Sequence, residues 1–443
     1  MNSNQQRKRI LFDGYNLGLE TGTGVATYAR NLTYCAHELG YEVEVLYGTR
    51  AAPGNSSLMK EIAFFDPHVG TPPRLLVWSR WFREFLTSPL GLMATDVPIT
   101  GTVISDAFRS RMPYANRFSN IRDFWGRADR HEYIYGTPLK ARTRNKPDIV
   151  HWTYPIATHM AGTKNIYTLH DLVPLRLPFT TLDNKRRYFK RVKRIAKTAD
   201  HIVTVSETSR QDIINLLGVP EERVTNTYQA VDIPVKYANK PEEVVKREVE
   251  GTFNLPHKGY MLFFGAIEPK KNIGRMIEAY LASKIETPLV ILGKLAWKSE
   301  QELRLMNDDT IRYLEHQGNH TFTRQKIIRI DYAPFPLLVS LVRGARSVLF
   351  PSLYEGFGLP VLEAMMLGTP VLTSKGGALG EVAGDAALLC DPYDTREMAE
   401  GIRALDTNAQ LRGELIEKGH KQAALFSAER YQQRMGELYA RIV

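Results

Sequence analysis

An α/β chain of two domains, each built on a parallel sheet, is what the sequence predicts, on three observations. The chain has 443 residues, too many for one ordinary core and enough for two domains of about 200 residues each. Strand-like runs alternate with helix-like runs over 9–47 and again over 347–372, the alternation that sheets with helical crossovers require. The composition is 43% hydrophobic, a globular proportion, yet no run approaches the roughly 18 uninterrupted apolar residues of a membrane span.

The opening MNSNQQRKRILFDG carries basic residues but no apolar secretory core, so a cytoplasmic chain is expected. Arg9 to Asp13 reads as the first strand. A loop with Gly18, Gly22 and Gly24 follows, then a helix with apolar positions Val25, Tyr28, Leu32, Cys35 and Leu39, then a strand from Tyr41 to Tyr47. Thr27 stands where a dinucleotide fingerprint needs its third glycine, so this loop is either a structural turn or a ligand-facing one. Asp148 to Trp152 and Asn165 to Leu169 resume the strands, and the second leads directly into His170 and Asp171. A His at a strand exit faces the cleft or serves local structure; an Asp beside it can orient the turn. His201 to Val205 is another strand, and Ser206 caps a helix that stops at Gly218 with Pro220 beyond.

From Pro234 to His257 the chain turns polar, with breaks at Pro241 and Pro256, and reads as a linker into the second domain. Tyr260 to Gly265 opens that domain. Lys270 and Lys271 fall in the loop before a helix from Ile273, where ammonium groups are placed to neutralise phosphate. Strands follow at Pro288 to Gly293 and Ile327 to Tyr332, then a helix over Leu337 to Val342, and Ser427 to Val443 is a final amphipathic helix. Cys35 and Cys390 lie far apart in apolar settings, which suits reduced core thiols better than a disulfide or a metal site.

The most informative stretch is PSLYEGFGLPVLEAMMLGTP, from Pro351 to Pro370. Ser347 to Phe350 is a short buried strand; Gly356 and Gly358 permit a tight turn; Pro360 suits a first helical turn; Gly368 and Pro370 stop the helix before a strand at Val371 and Leu372. Ligands of parallel sheets collect at the carboxyl ends of strands, and a helix N-terminus favours phosphate. Glu355 lies in the loop and Glu363 about one turn into the helix, and each carboxylate can accept from the vicinal hydroxyls of a sugar or ribose.

EGFGLPVLE resembles the paired-glutamate motif of the family-four retaining glycosyltransferases of the GT-B fold, and the resemblance extends along most of the chain. It implies two Rossmann-like domains facing across a cleft. Residues 1–233 would form the acceptor-side domain, joined by a C-terminal helix, 427–443, that crosses back; residues 234–426 would bind the nucleotide sugar. Glu355 would meet the transferred sugar and Glu363 the nucleotide ribose, with the amides of Phe357, Gly358 and Leu359 near the sugar and diphosphate. TLHDLVPLRLP is similar to the family's His-Asp element, which places His170 on the donor sugar near the reacting carbon. GAIEPKKN is similar to its phosphate loop, with Lys271 at the best-matched position and Lys270 where Arg is common. Gly22 and Gly24 would lie beside the cleft, near diphosphate or acceptor. His170 and Glu355 are the catalytic candidates, and the others bind donor. No Asp-x-Asp motif accompanies the site, so the resemblance implies no metal and no cofactor, the nucleotide sugar, GDP- or UDP-linked, being substrate. The overall look is closest to bacterial polysaccharide and O-antigen mannosyltransferases, which implies GDP-mannose and a lipid-linked oligosaccharide or polysaccharide acceptor. Two departures stand out. Gln229 and Ala230 replace a usual Asn-Gly before Val-Asp, and Gly376, Gly377 and Gly380 stand where larger residues are usual, which is expected to loosen the donor wall.

A net charge of +10 calls for acidic partners. Two basic regions carry it. The stretch 74–146 interleaves Trp78, Trp81, Phe82, Phe108, Phe118, Phe124 and Trp125 with Arg80, Arg83, Arg109, Arg111, Arg122 and Arg127, and 184–197 reads NKRRYFKRVKRIAK. Alternating rings and cations suit an anionic lipid interface; a solvated helix face is the plainer reading, and nucleic acid is not expected. Peripheral attachment to the inner face of the cytoplasmic membrane follows. Rival functions are a glycoside hydrolase using the two glutamates, a sugar-nucleotide epimerase of related fold, and a non-catalytic lipid- or polyanion-binding protein on a transferase scaffold.

Overall fold

The computed structural model describes residues 7–17, 24–50, 56–65, 87–100, 102–103, 112–307, 312–317 and 320–443. Two large sheets organise them. The first has eight strands, in the order Val224–Asn226, His201–Thr204, Lys164–Thr168, Ile149–Trp152, Arg9–Asp13, Glu42–Tyr47, Arg117–Asn120 and Thr95–Val97, with only the last antiparallel to its neighbour. The second has six parallel strands, in the order Ile327–Ile330, Leu289–Leu292, Met261–Phe264, Ser347–Phe350, Val371–Ser374 and Leu388–Cys390. Helices cover these sheets on both faces, which is why strands such as Met261–Phe264 and Ser347–Phe350 are apolar-rich and buried at every position. In each sheet the chain adds strands to one side of its first strand, then returns to add the rest on the other side. This doubly wound order leaves a crevice at the carboxyl ends of the two central strands.

Several expectations from sequence are corrected. The polar stretch after Pro234 is not an open linker: Glu242–Phe253 is a helix that buries Val245 and Val249, and Lys240 just before it bonds Glu248, the Pro336 carbonyl and Ser340 of the second lobe. The period of those two valines, four residues apart, was the available signal. In the basic aromatic region, Phe118 and Phe124 are core residues and Trp125 packs edge-on against Tyr15, so these rings do not face a bilayer. Trp78, Trp81, Phe82 and Phe108 fall outside the described residues. Gly380 tightens the structure instead of loosening it, because a Cβ there would lie 2.3 Å from the Lys375 carbonyl oxygen.

The final helix, Ala428–Ile442, packs on the first lobe. Its Tyr439 hydroxyl is 2.8 Å from Nδ1 of His151, whose Nε2 is 2.8 Å from the Thr168 hydroxyl. Burial, with the nearby His170 and His201, pushes the His151 pKa down to about 3, so the ring is a neutral structural link. Between the lobes, Tyr228 takes the left-handed backbone conformation (φ +58°) where the resembled family has Asn-Gly nearby. Its N–H donates to Asn226 Oδ1 at 2.8 Å, and its ring is covered by Phe357, Phe426 and the Arg434 guanidinium.

Candidate active site

The central strands of the second sheet are Met261–Phe264 and Ser347–Phe350, and the loops leaving them build one charged turn. Gly265 and Gly293 let two loops cross at close range, since a Cβ on Gly293 would lie 1.8 Å from the Gly265 carbonyl oxygen. The chain then makes a 3-10 turn over Pro269–Lys271, closed by Asn272 in the left-handed region (φ +60°), a conformation Asn tolerates. Asn272 Nδ2 donates to the carbonyls of Pro351 (3.1 Å) and Pro392 (2.7 Å), and Leu353 N–H donates to the Lys270 carbonyl (2.8 Å). These bonds fasten the lysine turn to the glutamate loop.

Lys271 Nζ donates to Glu355 Oε1 at 2.6 Å; Lys270 Nζ lies 3.7 Å from Glu355 Oε2 and 3.5 Å from Glu268 Oε1. Glu355 is only 8% exposed. Burial acts to raise its pKa, but Lys271 and Lys270 more than offset that and hold the carboxyl below its ordinary range. Lys270 is likewise held above the usual lysine range: burial opposes its charge, and Glu355 and Glu268 outweigh it. Beyond this cluster Gly358 has φ +111°, and the N–H groups of Phe357 and Gly358 donate to no group among the described residues. The Phe357 side chain is buried in the hinge, so only its backbone faces outward from that packing. Leu359–Met366 is a helix as expected, with Pro360 in its first turn. Its Glu363 carboxylate has no protein partner among the described residues, and burial alone pushes its pKa up to about 7.

Opposite stands the carboxyl edge of the first sheet. His170, at the exit of Lys164–Thr168, donates from Nε2 to the Thr153 carbonyl (3.0 Å) and meets the Tyr28 ring edge-on at 4.7 Å. Burial lowers its pKa, against the opposing pull of the Thr153 carbonyl and Asp171; the ring is neutral and Nδ1 keeps its lone pair. Asp171 orients the turn by accepting from Val173 N–H at 3.0 Å. A Cβ on Gly356 would lie 2.9 Å from both Asp171 Oδ2 and the His170 carbonyl oxygen, so the glycine is what lets the glutamate loop reach the histidine turn. A Cβ on Gly24 would lie 3.2 Å from Leu359 Cδ1, which puts the starts of two helices, one from each lobe, against each other. The structure thus brings Gly24, His170, Lys270, Lys271, Glu355, Gly358 and Leu359 to one cleft, while Gly22 lies outside the described residues.

Three residues at this edge escaped the sequence reading. Asp13 ends Arg9–Asp13, fully buried, and accepts from the N–H groups of Thr153 and Tyr15. Burial outweighs those bonds and raises its pKa to about 6. Tyr15 and Tyr154 stack at 5.4 Å beside it. The strand-exit position that singled out His170 applies equally to Asp13 and Tyr154.

The family profile described as "Glycosyl transferases group 1" matches residues 246–422, and that described as "Glycosyltransferase Family 4" matches 102–234. The O-antigen chain mannosyltransferase B of Escherichia coli is 32% identical over 70% of this chain and 74% of its own. The chain belongs to the family-four glycosyltransferases of the GT-B fold. A second E. coli relative, the serotype-specific mannosyltransferase WbdA, is 27% identical over 62% of this glycosyltransferase, which spans only 33% of WbdA's length. The crystal structure of Anabaena Alr3699/HepE in complex with UDP and glucose superposes on the glycosyltransferase with a TM-score of 0.63 at 13% identity, covering 98% of this chain and 100% of that one. The family assignment sets aside the hydrolase and epimerase alternatives.

Proposed function

We propose that this glycosyltransferase moves mannose from a nucleoside-diphosphate donor, GDP-mannose in first place, to a lipid-linked oligosaccharide or polysaccharide in cell-surface glycan assembly. Retention at the anomeric carbon and independence of metal belong to the same reading. The names of both E. coli relatives support the sugar, and the Anabaena complex supports a nucleoside diphosphate in this fold. The observation that carries the reading is the enclosed juxtaposition of Lys270, Lys271 and Glu355 at the carboxyl edge of the second sheet.

An arriving diphosphate competes with Glu355 for the two ammonium groups. Once they turn to phosphate, the Glu355 oxygens are released to accept from sugar hydroxyls. Glu363, partnerless beside the helix start, accepts from the ribose hydroxyls. The bond from the anomeric carbon to the phosphate oxygen breaks with its electron pair going to the oxygen, where the lysines and the free amides of Phe357 and Gly358 meet the growing charge. The acceptor hydroxyl attacks the same face of the anomeric carbon and gives its proton to the departing phosphate. A neutral His170 adds no repulsion to the positive charge that develops on the sugar. The acceptor comes from the first lobe, where Tyr15, Tyr154 and Trp125 offer rings to a pyranose.

Membrane attachment, in this reading, uses the helix Lys185–Thr198. Its Arg187, Arg191 and Arg194 are turned inward to Asp129 and Glu132, and Lys185 and Lys193 bond carbonyls. Arg186, Lys190 and Lys197 are exposed without a partner among the described residues, beside Phe189 (41% exposed) and Leu182 (71%). That is the mixture of cations and apolar side chains an anionic bilayer surface binds. No helix among the described residues is long and apolar enough to cross a membrane.

A screen of nucleotide sugars for GDP or UDP release, with and without lipid-linked acceptor and with EDTA, tests the reading. Release from GDP-mannose that needs acceptor and ignores EDTA is expected. Release from another donor only, or full loss with EDTA, replaces the corresponding part.

A further inference from the structure

The helix Glu207–Leu217 of the first lobe meets the second lobe at three places, and all three surround the loop that carries Glu355. Glu381 Oε1 accepts from Glu207 N–H at 2.7 Å, and its Oε2 accepts from Thr208 N–H at 3.0 Å and from the Thr208 hydroxyl at 3.2 Å. The Ser209 hydroxyl donates to the Gly356 carbonyl at 3.4 Å. The Tyr354 hydroxyl donates to the Asp212 carboxylate, which also pairs with Arg176 at 3.4 Å. Glu381 rides on the short helix Gly377–Ala383, whose Leu379 closes on Gly358: a Cβ there would lie 2.7 Å from Leu379 Cδ2. The first lobe therefore holds positions 354 and 356 directly and backs 358 through Leu379.

The first amides of a helix lack internal partners and carry the positive end of its dipole. Ser206 caps only Ser209 N–H, so Glu207 and Thr208 N–H are left for a carboxylate that arrives from the other lobe. Those bonds exist only while the lobes are aligned. The hinge residue Tyr228 is coupled to the same group: burial first, and the Glu381 charge next, push its hydroxyl up to about 12. Arg434 of the crossing helix lies 4.9 Å from the centre of the Tyr228 ring. One carboxylate joins the hinge, the first-lobe helix and the backing of the donor loop.

We infer that Glu381 is a positioning residue for glycosyl transfer, holding the lobes in the alignment that sets loop 354–358 against His170 without itself touching donor or acceptor. The inference rests on the transferase reading above. Glu381→Ala is expected to lower kcat about tenfold or more, the scale of a small misplacement of reacting groups. Nucleoside diphosphate affinity stays within about twofold, because Lys270, Lys271 and Glu363 all belong to the second lobe. Glu381→Gln keeps an acceptor oxygen and recovers part of kcat. Hydrogen exchange in a peptide spanning 206–209 speeds up in the Ala variant. A Glu381→Ala enzyme with kcat within about twofold of the parent, or with kcat and diphosphate affinity falling together, overturns the inference. Should the parent transfer no sugar at all, the transferase reading fails separately, and unchanged exchange at 206–209 is then the result that overturns the role of Glu381 in holding the lobes.

Discussion

At the carboxyl edge of the second sheet four charged side chains, Glu268, Lys270, Lys271 and Glu355, stand around one turn, while the same edge of the first sheet carries a stacked pair of tyrosines over one buried acid, Asp13. The strand order around the two crevices is the same. What differs is the few residues that follow each central strand, so the topology supplies a place and the loops supply the chemistry. A turn rich in cations suits a leaving diphosphate, and a ring surface suits a neutral polyol. The two edges should therefore respond differently to substitution.

The largest separation is expected from Lys271→Ala. Losing one preorganised cation at the leaving group costs about 10²–10³ in kcat, read as diphosphate release, and acceptor KM is unaffected. If Lys271→Ala instead raised acceptor KM and spared kcat, the division between the edges would be broken. Glu363 gives the next effect. Its raised pKa leaves the free protein partly protonated there near neutral pH, and in the proposed reading ribose hydroxyls, preferring the carboxylate, displace that proton on binding. Nucleotide affinity should fall about tenfold from pH 8 to pH 6, and calorimetry in buffers of differing ionisation enthalpy should show proton release that Glu363→Gln abolishes. The sign for stability is the opposite. With the folded pKa near 7, above the ordinary glutamate value of 4.5, this group's contribution is present below pH 4.5 and is lost as pH rises through 7, so Glu363→Gln should flatten that part of the melting profile.

On the other edge the effects are smaller. Tyr154→Ala removes a ring contact of about 0.5–1.5 kcal/mol, which raises acceptor KM by about tenfold at most and leaves donor binding alone. Loss of donor affinity in that variant would merge the two sites into one. Tyr439→Phe should cost about 1–3 kcal/mol of stability by leaving Nδ1 of the buried His151 without its partner, measured by denaturant unfolding, with kcat and KM unchanged.

The strands were legible because both faces of each sheet are covered, so that runs such as Ser347–Phe350 are apolar or small throughout and end at glycines or prolines. The glutamate loop was legible for a different reason: Gly356 and Gly358 are required by close approaches that no other residue fits. The reach of Glu381 to the other lobe was not legible, since sequence carries no register between distant helices. Asp13 and Tyr154 were missed because, of these exits of the first sheet, only the one holding a histidine reads as chemistry. The helix Glu242–Phe253 was missed because its polar face outweighs two buried valines. Phe118 and Phe124 show the converse error, where a local alternation with arginines hid ordinary core residues.

The return of Ala428–Ile442 to the first lobe has a consequence for biosynthesis. Tyr439, Leu438 and Met435 fill space around strands laid down more than 280 residues earlier, as with the Tyr439 to His151 bond at a separation of 288. On the ribosome the N-terminal half must wait with an unfilled seam until the last helix emerges, although domains usually fold as they are made. Chaperone dependence during translation, and a sharp loss of yield on removing even that one helix, are what such an arrangement entails.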